Sequence, residues 1–441
     1  MLSIIGFVTI LAIVLLLISG RITPIVGLVL IPIIGAFLAG FGIEEIGVFF
    51  QDGIASVMNV VIMFIFAILF FGIMQDTGLF DPLINKMIAI SRGNIIAVTV
   101  GTVIIAAIAH LDGSGASTFL ITIPALLPLY KRLHMNAYLL LLLVGASASI
   151  MNMVPWGGPL GRTSAVLKID PTELWRPLIP IQIIGLVLLI GLAVFLGFLE
   201  KRRIQKRHLS ENFEAAVALD AVENEEDSLS KDHSLARPKL FWLNVLLALS
   251  VIGFLVWGMI PAGFIFMIGV SIALPINYPN VKDQMDRIRA HAPNALLMAA
   301  IILAAGSFLG ILEGTGMLDS LATDLVTILP GFVVPYLHLI IGFFGVPFDL
   351  VLSTDAYYFA LLPVVEQIVT NYGVSSTSAA YSLIVGNIVG TFVSPFSPAL
   401  WLALGLAGLE MGRHIRYSLL WLWGLSIVLI AVALFMGVIT I

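Results

Sequence analysis

FGIMQDTGLFDPL, residues 71–83, returns as LGILEGTGMLDSL, residues 309–321. Six of the thirteen positions are identical at a constant offset of 238: Gly72/Gly310, Ile73/Ile311, Thr77/Thr315, Gly78/Gly316, Asp81/Asp319 and Leu83/Leu321. In a membrane chain, two similar halves mark a secondary transporter, whose substrate site lies where the repeats meet. One match alone can be chance, so the order and spacing of the surrounding elements must agree as well.

Composition places the chain in a membrane. Its 441 residues are 60% hydrophobic and 11% charged, with a mean hydropathy of +1.11. A soluble domain is about 25% charged. The charge is also unevenly spread, because residues 200–239 hold 17 of the 47 Asp, Glu, Lys and Arg residues. The absence of Cys excludes disulfides, thiolate metal sites and thiol nucleophiles. No basic residues precede the apolar run 2–19 and no small-residue cleavage site ends it, so it reads as a first transmembrane helix rather than a signal peptide.

The apolar runs then repeat in order. Each half has two helices, a third ending in the Thr-Gly motif, a pair of short runs, a fourth helix and a fifth. The short runs 94–110 and 118–130 flank the polar HLDGSGAS, and 331–347 and 349–364 meet around PFDLVLSTD. Two short helices joined by a polar tip read as a re-entrant hairpin, tolerated at membrane depth only when buried in protein or facing water. The fourth helices carry the breaks Pro155-Trp156-Gly157-Gly158-Pro159 and Ser394-Pro395-Phe396-Ser397-Pro398. The expected fold is an all-α polytopic membrane protein of two inverted-topology repeats. Each repeat has about five transmembrane helices, one re-entrant hairpin and a broken helix. The first covers 1–200, with its hairpin at about 94–130 and broken helix at about 137–168. A charged linker follows at 201–239. The second covers 240–441, with its hairpin at about 331–365 and broken helix at about 378–408.

Charge placement fits that inversion. Basic residues collect in cytoplasmic loops. With the linker inside, cytoplasmic segments contain Arg21, Lys86, Arg92, Lys131, Arg132, Lys201, Arg202, Arg203, Lys282, Arg287, Arg289, Arg413 and Arg416. Segments with Glu44, Glu45, Asp319, Asp324 and Glu366 fall outside, as do both termini. Only the segment with Arg162, Lys168 and Arg176 breaks the pattern. The protein is expected in the plasma (inner) membrane, with the lipid bilayer and no nucleic acid among its partners.

The hairpin tips carry the chemistry. An Asp at membrane depth costs at least about 2.5–3.5 kcal/mol, which makes it a functional candidate by default. Asp112, Asp349 and Asp355 qualify, and at an offset of 237 Asp112 faces Asp349 while Ser117 faces Thr354. The bland reading is that a tip aspartate caps its returning helix; the two roles are compatible. Glycines and small residues leave backbone N–H groups free for carboxylate oxygens, and hydroxyls and carbonyls beside them suit a hard cation. His110 is a candidate proton relay, or a hydrogen-bonded structural histidine. Asn152 and Asn387 precede the two proline breaks, where a carbonyl one turn back loses its donor. Arg162 offers a guanidinium fork for a polycarboxylate, or is an ordinary loop arginine near the outer surface. Thr77, Gly78 and Asp81 read as structural, and Trp242, Trp257, Trp421 and Trp423 as interfacial anchors.

At HLDGSGASTFLITIPALLPL, NMVPWGGPLGRTS, FDLVLSTDAYYFALLPV and SPFSPALWLALG the chain resembles the citrate–divalent metal:proton symporters (the CitMHS family) of the ion transporter superfamily. The resemblance extends over nearly all of the chain outside 205–237. The superfamily's dicarboxylate transporters carry Ser-Asn-Thr at the hairpin tips, whereas this chain has Ser-Gly-Ala-Ser-Thr and Ser-Thr-Asp. That departure argues against a simple sodium–dicarboxylate carrier. The resemblance implies a homodimer with a scaffold part and a mobile part moving in an elevator-like way. It also implies uptake of citrate chelated to a divalent metal of the Mg or Ca type, in symport with protons and with no permanently bound cofactor. Carried over by position, the substrate site is Ser114, Gly115, Ser117, Thr118, Asn152, Gly157, Gly158, Arg162, Ser353, Thr354, Asn387, Ser394 and Ser397. Asp112 and Asp355 would meet the metal, and Asp112, His110 and Asp349 would couple protons.

Free citrate carries about three negative charges near neutral pH, and chelation of one divalent cation leaves a complex near −1 that one Arg or two helix N-termini can match. Two alternatives stay open at this point. One is a carrier of another organic or inorganic anion on the same scaffold. The other is an intramembrane hydrolase using Asp112 and Asp349, which has no use for a duplicated inverted architecture.

Overall fold

Thr77 and Thr315 end two long helices in the same way. Each hydroxyl donates to a carbonyl of the last turn, Thr77 to Met74 at 2.6 Å and Thr315 to Ile311 at 2.7 Å. Each is followed by a left-handed glycine, Gly78 at φ 76° and Gly316 at φ 71°, a conformation glycine adopts without a Cβ clash. The repeated motif is a helix stop. In the computed structural model, residues 1–18, 21–79, 82, 94–211, 235–257, 259–328 and 330–440 are described. Asp81, Leu83, Lys86, Arg92 and linker residues 212–234 lie outside them. No strand occurs among the described residues.

The first half runs α1 (Leu2–Ile18), α2 (Pro24–Leu38), α3 (Ile43–Asp76), α4 (Ile95–Ala109), α5 (Gly115–Arg132), α6 (Ala137–Met151), α7 (Gly158–Leu167), the short α8 (Pro171–Trp175) and α9 (Leu178–Glu211). The second runs α10 (Phe241–Trp257), α11 (Ala262–Asn277), α12 (Val281–Gly314), α13 (Met317–Ile328), α14 (Leu337–Phe343), α15 (Gly345–Phe348), a π-helical stretch Ala356–Leu361 leading into α16 (Leu362–Thr370), α17 (Ser376–Asn387), α18 (Pro398–Ala407) and α19 (Met411–Phe435). Among the described residues, six segments are long and apolar enough to cross a membrane by themselves: Ile43–Asp76, Ile95–Asp112, Leu178–Lys206, Pro238–Trp257, Val281–Gly314 and Met411–Phe435. Leu2–Leu16, Pro24–Leu38, Ala137–Met151 and Ala262–Asn277 are shorter apolar helices.

Helices α3 and α12 are each 34 residues long, and they cross backbone to backbone. A Cβ on Gly53 would stand 2.1 Å from the Gly306 carbonyl oxygen, and one on Gly310 would stand 2.2 Å from that of Phe49 and 2.8 Å from Gly53 Cα. The same offset that relates the Thr-Gly motifs turns Gly53 into His291 and Gly310 into Gly72. Those two also meet, since a Cβ on Gly72 would stand 2.4 Å from His291 Nδ1. His291 Nε2 contacts Asp76 Oδ2 at 2.8 Å, and Arg287 reaches the same oxygen at 3.3 Å.

The hairpin arms pack on the broken helices with matching bonds. Ser147 on α6 donates to the Val103 carbonyl at 2.8 Å, and Ser382 on α17 donates to that of His338 at 2.8 Å. The N-caps match as well: Asn136 accepts from Tyr138 N and Ser375 from Ser378 N, leaving fewer of the first-turn N–H groups without a partner. The charged linker is structured at both ends. Helix α9 continues to Glu211. Arg237 sits on the protein, with its N–H on the Thr77 carbonyl at 2.9 Å, its Nε on that of Asn277 at 2.8 Å, and its guanidinium 4.8 Å from the Tyr278 ring centroid.

Candidate functional site

The first tip follows from a short 3₁₀ turn, His110–Asp112, and left-handed Gly113 at φ 71°. Together they reverse the chain between α4 and α5. Asp112 Oδ1 accepts the Ser114 N–H at 2.8 Å, and its Oδ2 accepts the Ser117 hydroxyl. Ser114 is the N-cap of α5. Behind the turn, buried His110 touches Thr118 Oγ1 through Nδ1 at 2.6 Å and Asn152 Oδ1 through Nε2 at 2.9 Å. Thr118 Oγ1 donates to the Ser114 carbonyl at 2.8 Å, so His110 Nδ1 is the donor to Thr118 Oγ1, and Nε2 faces the Asn152 side-chain amide. The tip is tied to the first break by Trp156, whose Nε1 donates to the Leu111 carbonyl at 2.8 Å and whose ring stacks on Phe71 at 4.7 Å.

At the first break, α6 stops at Asn152 and α7 starts after Gly157, where a Cβ would stand 2.1 Å from the Asn152 carbonyl oxygen. Arg162, one turn into α7, folds back over Gly158, whose Cβ would meet Nη1 at 2.7 Å. Its Nε donates to Asp355 Oδ1 at 2.7 Å, and its guanidinium carbon lies 5.9 Å from the Phe359 ring centroid. Arg162 is 8% exposed, as is Asp355. The surface-arginine reading is therefore corrected: Arg162 lies on the buried helix α7, and Asp355 at the second tip takes the guanidinium. Removing one member of a buried ion pair leaves the other uncompensated, at about 3–5 kcal/mol.

Each hairpin thus packs on the broken helix of the other half. The second tip receives Arg162 from α7. The first tip meets the second break, since a Cβ on Gly115 would stand 2.7 Å from the Phe392 ring and 2.9 Å from Ala399 on α18. Phe392 also packs edge-on against His110 and Phe119. Ser353 caps the returning arm by accepting the Ala356 N–H at 3.2 Å. Ser394 donates to the Asp349 carbonyl at 2.6 Å. Thr354 and Ser397 are half-buried, Ser397 as the N-cap residue of α18 without a side-chain cap bond.

The tips are not in the register expected from sequence. In the arms, Asn152 with His110 corresponds to Asn387 with Gly345, whose carbonyl the Asn387 amide bonds at 3.1 Å. At the tips, however, cap Ser114 corresponds to cap Ser353. Four residues separate His110 from Ser114 and eight separate Gly345 from Ser353, so the second hairpin has one extra helical turn. Asp349 lies in that turn, behind its tip, and is not the counterpart of Asp112.

The profile of the citrate transporter family (CitMHS) matches residues 4–386. A citrate transporter of Bacillus subtilis (strain 168) is 37% identical over all of both chains, and so is a Mg(2+)/citrate complex secondary transporter of the same organism. The chain belongs to the citrate transporter family. The fold is also that of two solved transporters of much lower identity. The Alcanivorax borkumensis YdaH transporter, described as having an unusual topology, gives a TM-score of 0.55 at 14% identity, covering 90% of each chain. Neisseria gonorrhoeae MtrF, described within a class of antimetabolite efflux pumps, gives 0.56 at 13%, covering 87% of this chain and 83% of its own.

This citrate transporter family member is a multi-pass integral membrane protein, and the hydrolase alternative falls with that membership. Geometry agrees, because Asp112 is bound by its own tip and Asp349 stands behind the other. Among the described residues no three His, Asp or Glu side chains gather where they could hold a metal ion. Sequence reasoning passed over Trp156, Phe392 and Tyr358. A Trp inside a Pro-Gly break was the one available signal for the first.

Proposed function

We propose that the protein takes up citrate complexed with a divalent metal ion, in symport with protons, by elevator-like movement of both hairpins and both broken helices against a scaffold in a homodimer. The two halves are inverted in the membrane, with the linker cytoplasmic and both termini outside. The observation that carries the reading is the buried Arg162–Asp355 pair. It sets a cation and an anion in contact at the meeting point of a broken helix and a hairpin tip. A metal–citrate complex presents the complementary pair of charges. One citrate carboxylate takes the Arg162 fork, and the metal takes the freed Asp355 as one oxygen ligand, citrate and water completing its shell. The exchange leaves no buried charge uncompensated. Ser114, Gly115, Ser117, Ser353, Thr354, Ser394 and Ser397 supply hydroxyls and backbone N–H groups around it, with Gly157 and Gly158 leaving room for the bound anion. Asp112 acts by ordering the first tip. A relative named for the Mg(2+)/citrate complex supports the cargo.

The test is uptake of labelled citrate into proteoliposomes. Uptake is expected only with Mg²⁺, Ca²⁺ or a similar divalent cation present, and faster with an inward proton gradient. Uptake that ignores the metal and requires sodium would overturn the reading in favour of a carrier of another anion on the same scaffold.

A further inference from the structure

Among the described residues, four buried side-chain oxygens of the second half have no hydrogen-bond partner in the protein; apart from Ser307 on α12, they are Asp349 Oδ2, Asn387 Oδ1 and the Tyr358 hydroxyl. Those three are neighbours. The Asn387 side chain lies against the Asp349 carboxyl, and Tyr358 stands within electrostatic reach of both Asp349 and Arg162. The space around the carboxyl is closed, since a Cβ on Gly390 would stand 2.3 Å from Oδ2. Asp349 is 1% exposed. The groups facing it from each packed element are Tyr357 and Tyr358 on the returning arm, Asn387 on α17, and Gly390 and Ser394 at the second break. Helix α19, packed behind, offers Trp423 and Ser426, which donate to the carbonyls of Phe343 and Gly386, and the buried His414, whose Nε2 is turned to the Phe392 carbonyl at 3.1 Å. None of these presents a cation to the carboxyl. An ionised carboxylate there would be buried without compensation, at a cost of several kcal/mol. A hydrogen on Oδ2 changes the account, because the carboxyl is then neutral and becomes a donor, with an unpaired acceptor on the Asn387 side chain.

We infer that Asp349 is the group that carries the cotransported proton, beside Asn387 and Tyr358. The inference rests on the proton-symport reading above and narrows it, because His110 and Asp112 are each fully occupied by their own partners. It also supplies a sign for the coupling. Cargo of net charge near −1 arriving at Arg162 makes the surroundings of Asp349 more negative. Cargo therefore strengthens proton binding, and the proton strengthens cargo binding by the same factor. Release of cargo on the far side then favours release of the proton to water.

The experiment is infrared spectroscopy of the reconstituted protein near neutral pH, paired with uptake. A protonated-carboxyl C=O band is expected, shifting on deuteration, absent in Asp349→Asn, and moved toward the free-acid frequency in Asn387→Ala. Stimulation of citrate uptake by an inward proton gradient is expected to disappear in Asp349→Asn. A wild-type spectrum lacking the band, its persistence in Asp349→Asn, or unchanged gradient stimulation in that variant would overturn the assignment. If the variant does not fold, the wild-type band and its shift in Asn387→Ala decide alone. The infrared arm does not depend on the cargo, so failure of metal–citrate uptake with the band present removes the cargo and leaves the proton site.

Discussion

At the first hairpin, His110 is held at both ring nitrogens, and Asp112 takes a backbone N–H and a hydroxyl. At the matching junction of the second hairpin stands Gly345, whose carbonyl accepts the Asn387 amide and the Asp349 N–H, with the orphaned oxygens of Asp349 and Tyr358 close by. One tip is saturated by its own side chains; the other keeps unpaired polar atoms and borrows a cation from the opposite half. Saturation suits a part that must hold its shape. Unpaired, buried polar atoms are costly enough that they persist where something else binds. On the proposed function, the duplicated plan divides its labour: the first tip gives shape, and the second gives charge exchange.

The hardest break of that comparison is at Arg162. Arg162→Gln should abolish uptake and destabilise the fold by about 3–5 kcal/mol, because Asp355 is left buried and alone. The double variant Arg162→Gln/Asp355→Asn should regain most of the stability and none of the transport. Thermal unfolding in detergent and proteoliposome uptake separate the two effects. Recovery of uptake in the double variant would mean the pair is a structural clamp.

Next in size is the comparison of the asparagines. Asn152→Ala strips the buried His110 Nε2 of its partner and should cost about 1–3 kcal/mol. Asn387→Ala removes the donor to the Gly345 carbonyl and, on the inference above, the acceptor of the Asp349 hydrogen, so its cost should be of the same order. A clearly smaller loss in a thermal-shift series would mean that Asn387 takes no hydrogen from Asp349.

The α3–α12 crossing sharpens the point further. Gly72→Ala should destabilise by about 1–3 kcal/mol by pushing on the His291 ring. Adding His291→Ala should relieve most of it. Gly310→Ala should admit no such rescue, since its obstacles are backbone atoms of Phe49 and Gly53. Detergent-phase unfolding of these variants reads the difference directly.

How much of this was written in the chain depends on distance along it. The helix stops were legible because Thr-Gly acts within its own turn. So was the order of hairpins and breaks, where Pro, Gly and hydroxyl residues cluster. The partner of Arg162 was not, since Asp355 lies 193 residues away and either charge alone fits several roles. Nor was the filling of the space above Gly115 by Phe392, a packing choice with no local signature. The register slip was hidden more simply. A constant offset assumes no insertion, and the extra turn at 345–353 sets two aspartates opposite one another on paper but not in the fold.

The smallest effect tests the same asymmetry at the ends of α7 and α18, both ten residues long. Both stop at a left-handed residue, Lys168 at φ 57° and Gly408 at φ 65°. A side chain in that region costs on the order of 1 kcal/mol. Lys168 has a compensating contact, its Nζ meeting Glu313 Oε2 at 2.5 Å, though both side chains are too exposed for the pair to contribute much. Gly408→Lys should therefore lower stability by about 1 kcal/mol. Lys168→Gly relieves the strain, gives up the pair and adds freedom to the unfolded chain, three terms that nearly cancel. A thermal-shift comparison showing Gly408→Lys to be the harmless member would mean that the first half, not the second, stores the strain at these helix ends.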